Sequence, residues 1–303
     1  MESAPLNKPR PTEDEALGYF EAYSNAGRWG DADELGTLNL ITPEHRVRAA
    51  GLVQRGVVVS LSHALTPADD GSFIHRMLRP GPLIRSAEDM VEIAPHGYRV
   101  THLDALGHVS HGGRIYNHRS VEDVMSTSGL SFGSIFAARQ GVFTRGFYLD
   151  VAGVRGVPFL QDTDAIEPED LDAAAALCES TIEPGDAVLI RAGLGARAPE
   201  APTGHSRRRA GLSPRCIGWL RERDIAVYGG DCVEQQPSGY RTLPLPFHAV
   251  ALSAIGLCIL DNVDMESLAS ACNRLERRVF LLIVAPLAIP RGTGSAVNPL
   301  AAF

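Results

Sequence analysis

Four short apolar runs divide the second half of the chain and limit what it can become. They occupy residues 187–192, 225–228, 258–260 and 279–285. Each is strand-like in length and composition, and the last is apolar enough for a fully buried strand. Helical segments separate them: Glu169 to Ser180, Ser213 to about Arg223, a short helix from Phe247 to Ile255 closed by Gly256, and Met265 to Asn273. Helices alternating with short apolar strands predict an α/β fold. The pattern does not give the strand order.

The first half is less regular. Glu13 to Ala26 reads as a helix, and the Gly-rich segment from Gly27 to Gly36 as a loop. Thr42-Pro43-Glu44 is a helix start, with a capping hydroxyl followed by proline at the first helical position. That helix should run to about Gln54 and precede a strand at 57–61. Residues 64–95 hold many Pro and Gly and read as long surface loops, as do residues 193–210. No repeat or linker divides the chain. The reading is a loose arm at 1–12 and one domain over 13–303.

Composition removes several functions. The 303 residues carry a net charge of -8, which argues against a nucleic-acid partner, since that would need a basic face. The densest basic run, Arg207-Arg208-Arg209, reads as a solvated loop. No stretch approaches the roughly 18 apolar residues of a membrane span. The polar N-terminal segment lacks the apolar core of a signal peptide, so a cytoplasmic location is expected. Five cysteines without a C-x-x-C pair predict reduced, mostly buried thiols. Gly292-Thr293-Gly294-Ser295 lacks the P-loop lysine and reads as a turn, and no G-x-S-x-G elbow is present.

Histidine is the unusual element. Five of the ten histidines fall between 96 and 118: His96, His102, His108, His111 and His118. On an extended backbone His102 and Asp104 point to one face. His108 follows four residues later. Imidazole nitrogen and carboxylate oxygen together suit Zn²⁺ or Mn²⁺. Two ligands do not hold a catalytic ion, so distant residues must complete such a site. By spacing alone H-x-D is common by chance, and His111 and His118 read as surface residues.

The segment Thr101-His102-Leu103-Asp104-Ala105-Leu106-Gly107-His108 resembles the T-H-x-D-x-x-x-H signature of the metal-dependent cyclase family, which includes kynurenine formamidases and isatin hydrolases. Further blocks resemble the longer members in the same order: Gly27 to Leu40, Gly185-Asp186 through Gly193, Gly211 to Asp231, and Ala285 to Pro299. The resemblance implies a central mixed sheet or barrel-like β core flanked by helices. It implies hydrolysis of a C–N bond in a formamide, lactam or other cyclic amide by metal-activated water, with Zn or Mn as cofactor. His102, Asp104, His248 and Asp261 would be ligands, and His108 the general base. Trp29 and His96 would contact substrate. The expected partners are a small-molecule substrate and a second copy of the chain, as a homodimer or higher oligomer. Tyr98 stands where the family has its first histidine, Val100 replaces a glycine, and Asp261 stands where Glu is usual. The alternative is therefore a cyclase or dehydratase with a weakened or absent metal, using Tyr98, His102 and His108 in acid–base chemistry. His96, two residues before Tyr98, could replace the missing ligand.

Overall fold

The computed structural model describes residues 9–67, 70–78, 87–197 and 208–303. Nine strands form one mixed sheet. In chain order they are β1 (Val58–Ser60), β2 (His102–Asp104), β3 (Val142–Asp150), β4 (Ala187–Arg191), β5 (Val227–Gly230), β6 (Cys258–Asp261), β7 (Val279–Val284), β8 (Gly294–Ala296) and β9 (Leu300–Ala302). Their spatial order is β1-β9-β7-β3-β4-β5-β6-β2-β8. The central pairs β3–β4, β4–β5 and β5–β6 are parallel, and every other pair is antiparallel.

The apolar runs of the second half become β4, β5, β6 and β7, within one or two residues of the expected bounds. Strand β3 was not apparent from the sequence, because Thr144, Arg145 and Gly146 interrupt its apolar residues. The Thr144 and Arg145 side chains each have a partner. Thr144 Oγ1 donates to Gly185 O at 2.7 Å. Arg145 reaches the buried Asp186 carboxylate at 2.6 and 2.8 Å.

Flanking helices follow their capping residues. Helix α1 (Glu13–Ala22) begins at a reciprocal Thr12–Glu15 capping box. Helix α2 (Pro43–Ala50) begins at the Thr42 hydroxyl and packs on β3 and β7. It stops at Gly51, earlier than the expected Gln54. Helix α3 (Pro168–Ala175) packs on β3. Helices α4 (Cys216–Glu222) and α5 (Pro246–Val250) follow, and α5 continues as one π-type turn over Ala251–Ile255. Helix α6 (Met265–Leu275), capped by Asp264, packs on β3 and β4.

One expectation needs revision. Residues 64–95 are not only loop: Phe73–Leu78 and Glu88–Ile93 pair as an antiparallel hairpin, in register from Phe73 with Ile93 to Leu78 with Glu88. Of the expected arm at 1–12, residues 1–8 lie outside the described set, as does most of 193–210. One buried apolar cluster runs from Leu38 to Phe303 and draws on both halves of the chain. Among the described residues no helix is long and apolar enough to cross a membrane.

Candidate metal centre

Strand β2 has three residues and lies between β6 and β8. Its middle residue, Leu103, is fully buried. Full burial of a leucine side chain contributes about 1.5–3 kcal/mol, and here it fixes which face the strand presents. By alternation, His102 and Asp104 face the opposite way together. The register sets Asp261 of β6 beside His102, and Gly294 of β8 beside Asp104.

Four imidazoles surround the Asp104 carboxylate, which is fully buried. His96 Nδ1 lies 3.0 Å from Oδ1, His102 Nε2 3.4 Å and His108 Nε2 3.9 Å from the same oxygen, and His248 Nε2 3.8 Å from Oδ2. His96, at the end of the loop leading to β2, lies flat on His108 with ring centroids 3.6 Å apart. His108 follows β2 in a turn closed by its own N–H donating to Ala105 O at 2.9 Å. His248 comes from α5.

Three of these rings are held from behind. The far nitrogen of each meets a protein oxygen: His102 Nδ1 the Val100 carbonyl at 2.7 Å, His96 Nε2 the Thr293 hydroxyl at 3.0 Å, and His248 Nδ1 the Glu234 carboxylate at 2.8 and 2.9 Å. Glu234 also accepts the His248 backbone N–H at 3.0 Å. Such partners fix the tautomer of a ligating histidine and leave the other nitrogen's lone pair facing inward.

Both Asp104 oxygens and His96 Nδ1 are buried without a hydrogen-bond partner among the described residues, despite the short separations. The atoms converge at contact distance but not at hydrogen-bonding angles. A buried carboxylate in that condition is costly unless a cation lies among the same atoms. His96, His102 and Asp104 bring one donor atom each within 4.8 Å of one another, a set that fits a divalent ion. Burial would raise the Asp104 carboxyl, but contact with His102 and His96 holds it well below the usual carboxylate range. Burial lowers the His108 imidazole to about 4. Burial also acts to lower His248, but the Glu234 carboxylate outweighs it and the ring rises to about 9. Burial raises the Asp261 carboxyl and the Tyr98 phenol.

The residues singled out from sequence separate into two groups. His96, His102, Asp104, His108, His248 and Asp261 come together around one cavity of about 200 Å³. His96, assigned from sequence to substrate contact or to replacement of the missing ligand, stands with His102 and Asp104 in the set that could hold an ion. Tyr98 is 46% exposed and lies on the cavity wall, with its ring under the Arg209 guanidinium at 4.2 Å. Trp29 is half-buried beneath Arg28, 4.7 Å from its guanidinium, and is not part of that wall. Glu234, Thr293 and Arg209 were not foreseen. Glu234 had one available signal, a carboxylate just beyond the end of a parallel strand, where α/β folds place ligands.

The Cyclase family model, described as "Putative cyclase", matches residues 25–236, and the chain belongs to that family. A crystal structure described as a novel cyclase is 28% identical, covers 93% of this chain and 100% of its own, and superposes with a TM-score of 0.83. Isatin hydrolase A from Labrenzia aggregata, bound to benzyl benzoate, is 19% identical over 84% of this chain and 94% of its own, with a TM-score of 0.57. Isatin hydrolase A from Ralstonia solanacearum is 19% identical over 86% and 97%, with a TM-score of 0.58. These last two share the fold. No curated protein matches the chain in sequence.

Proposed function

We propose that this chain is a metal-dependent hydrolase of a C–N bond in a formamide, lactam or other cyclic amide. One observation carries the reading: three imidazoles, each held through its far nitrogen by a protein oxygen, turn the near nitrogen toward one buried, hydrogen-bond-free carboxylate. His96, His102 and Asp104 would hold the ion, with His248 and Asp261 beside them, and the nitrogen–oxygen set favours zinc or manganese. A divalent ion there supplies Lewis acidity toward a carbonyl and activates water near neutral pH.

The remaining work falls to the chain. His108 lines the cavity and is about a quarter exposed, whereas His102, on the same wall, is almost fully buried. In this reading His108 would take a proton from water and return one to the departing nitrogen. Glu234 and Thr293 keep the rings oriented. Tyr98 shapes the wall and keeps its proton at neutral pH. The shared fold of the isatin hydrolases supports the same chemistry.

The test combines elemental analysis with turnover of formamide and lactam probes. Purified protein should carry one zinc or manganese per chain. His108→Ala should keep the metal and lose turnover by about 10²–10⁴-fold, the usual share of general acid–base catalysis. Unchanged turnover removes His108 from the mechanism. Hydrolysis of the probes by metal-free protein in chelator overturns the metal's role, and inactivity on every probe overturns the hydrolase reading in favour of cyclisation or dehydration.

A further inference from the structure

We propose that Arg209 reads a carboxylate on the ligand, so that the substrates are amides bearing an acidic group apart from the carbonyl under attack. The inference rests on reading the cavity as a substrate site. Arg209 is mounted rigidly. Its backbone exchanges two hydrogen bonds with Gln236, at 3.0 and 2.9 Å, on the same segment that carries Glu234. The guanidinium plane covers Tyr98 at 4.2 Å, and Nη2 donates to the Asp231 backbone oxygen at 3.3 Å. Nη1 is buried and has no hydrogen-bond partner among the described residues.

Arg215, Arg221 and Arg278 also carry a buried nitrogen without a hydrogen-bond partner, but none of them lines the histidine cavity or its neighbour, and other half-buried arginines are paired with carboxylates. Arg145 holds Asp186 at 2.6 Å, Arg155 holds Asp170 at 2.5 Å, and Arg197 holds Asp162 at 2.5 Å. Among the described residues no carboxylate lies within ion-pair distance of Arg209. Asp231, whose backbone oxygen accepts from Nη2, spends both carboxylate oxygens on the N–H groups of Ala192 and Leu194, each at 2.8 Å. A buried donor without a partner is costly, and a planar fork of N–H groups matches a carboxylate edge to edge.

Its position makes it a reader. Arg209 belongs to the wall of the histidine-lined cavity and also to that of a neighbouring cavity of about 290 Å³, bordered by His63, Phe73, Leu194 and Asn262. Tyr98 is shared between the same two walls. A ligand with its amide at the histidine cluster can therefore present a second, anionic group to the arginine.

The probes are 2-formamidobenzoate and its neutral counterpart 2-formamidobenzamide. Binding is measured by titration calorimetry on the metal-loaded full chain, alongside turnover. Wild type should bind the carboxylate at least about 30-fold more tightly. Arg209→Gln should lose about that factor for the carboxylate, the usual effect of truncating a buried charge pair, and stay within about threefold for the amide at unchanged metal content. Arg209→Lys should recover part of the loss. Equal binding of the two probes by wild type, no binding of the carboxylate at millimolar concentration, or equal loss of both in Arg209→Gln overturns the proposal. Discrimination that persists while neither probe is hydrolysed supports Arg209 and counts against the hydrolase reading. Hydrolysis without discrimination does the reverse.

Discussion

Glu234 touches no reacting group, yet the orientation of His248 depends on it. Its two oxygens bracket the ring nitrogen at 2.8 and 2.9 Å, and one also takes the backbone N–H at 3.0 Å. Glu234→Gln should weaken metal binding by about 10–100-fold, the usual cost of removing a partner behind a ligand. A competition titration with a chromophoric chelator measures it, and an unchanged affinity would remove His248 from the metal's surroundings. At this scale part of the site was legible. His102 and Asp104 follow from alternation along a strand. His96 was ambiguous because the path from 96 to 101 is irregular, and spacing has no meaning where the backbone is not periodic. Glu234 and Thr293 could not be read by spacing, since they meet their histidines across gaps of 14 and 197 residues.

Two joints between elements invite tests. Where β3 meets the turn before β4, Arg145 neutralises Asp186, which is fully buried. Arg145→Met should cost about 3–5 kcal/mol, since it leaves a buried charge unpaired. Burial already raises the Asp186 carboxyl in the folded protein, against the pull of Arg145. A raised carboxyl binds its proton more tightly when folded, so stability is gained as pH falls through the folded value. Deleting the cation raises it further. The deficit of Arg145→Met relative to wild type should therefore narrow as denaturation is measured from pH 7 toward pH 5. The second joint is the approach of Gly36 to Gly256, both in left-handed conformations (φ 55° and 70°). A β-carbon on Gly36 would overlap the Gly256 carbonyl, and one on Gly256 would meet the Tyr116 ring at 2.6 Å. Either alanine substitution should lower stability by about 2–4 kcal/mol in urea titrations, through strained φ and a clash with backbone or ring. The second-half elements were legible because their apolar runs are uninterrupted. Strand β3 was not, because Thr144 and Arg145, which interrupt it, are satisfied by partners 41 residues away, and the hairpin at 73–93 was hidden among Pro and Gly.

For the whole molecule, the continuous buried cluster from Leu38 to Phe303 predicts one cooperative unfolding transition. Two separate transitions by circular dichroism and calorimetry would divide the chain instead. Metal bound only to the folded state adds RT ln(1 + [L]/Kd), about 2.7 kcal/mol at 100 times Kd. A chelator should then lower Tm by several degrees in a single step, and readdition of zinc or manganese should restore it. The α/β class was legible from alternation, whereas the strand order was not, because pairing across a sheet leaves no local mark on sequence. That order also bears on how the protein is made. Strand β2, which carries His102 and Asp104, is closed on one side by β8, and Thr293, which holds His96, comes immediately before β8. A nascent chain on the ribosome has all its candidate ligands once residue 261 has emerged, but it lacks Thr293, which holds His96, and the strand that closes β2 until the segment at 293–296 follows. Capture of an ion by these residues would therefore wait until the segment at 293–296 has docked beside β2.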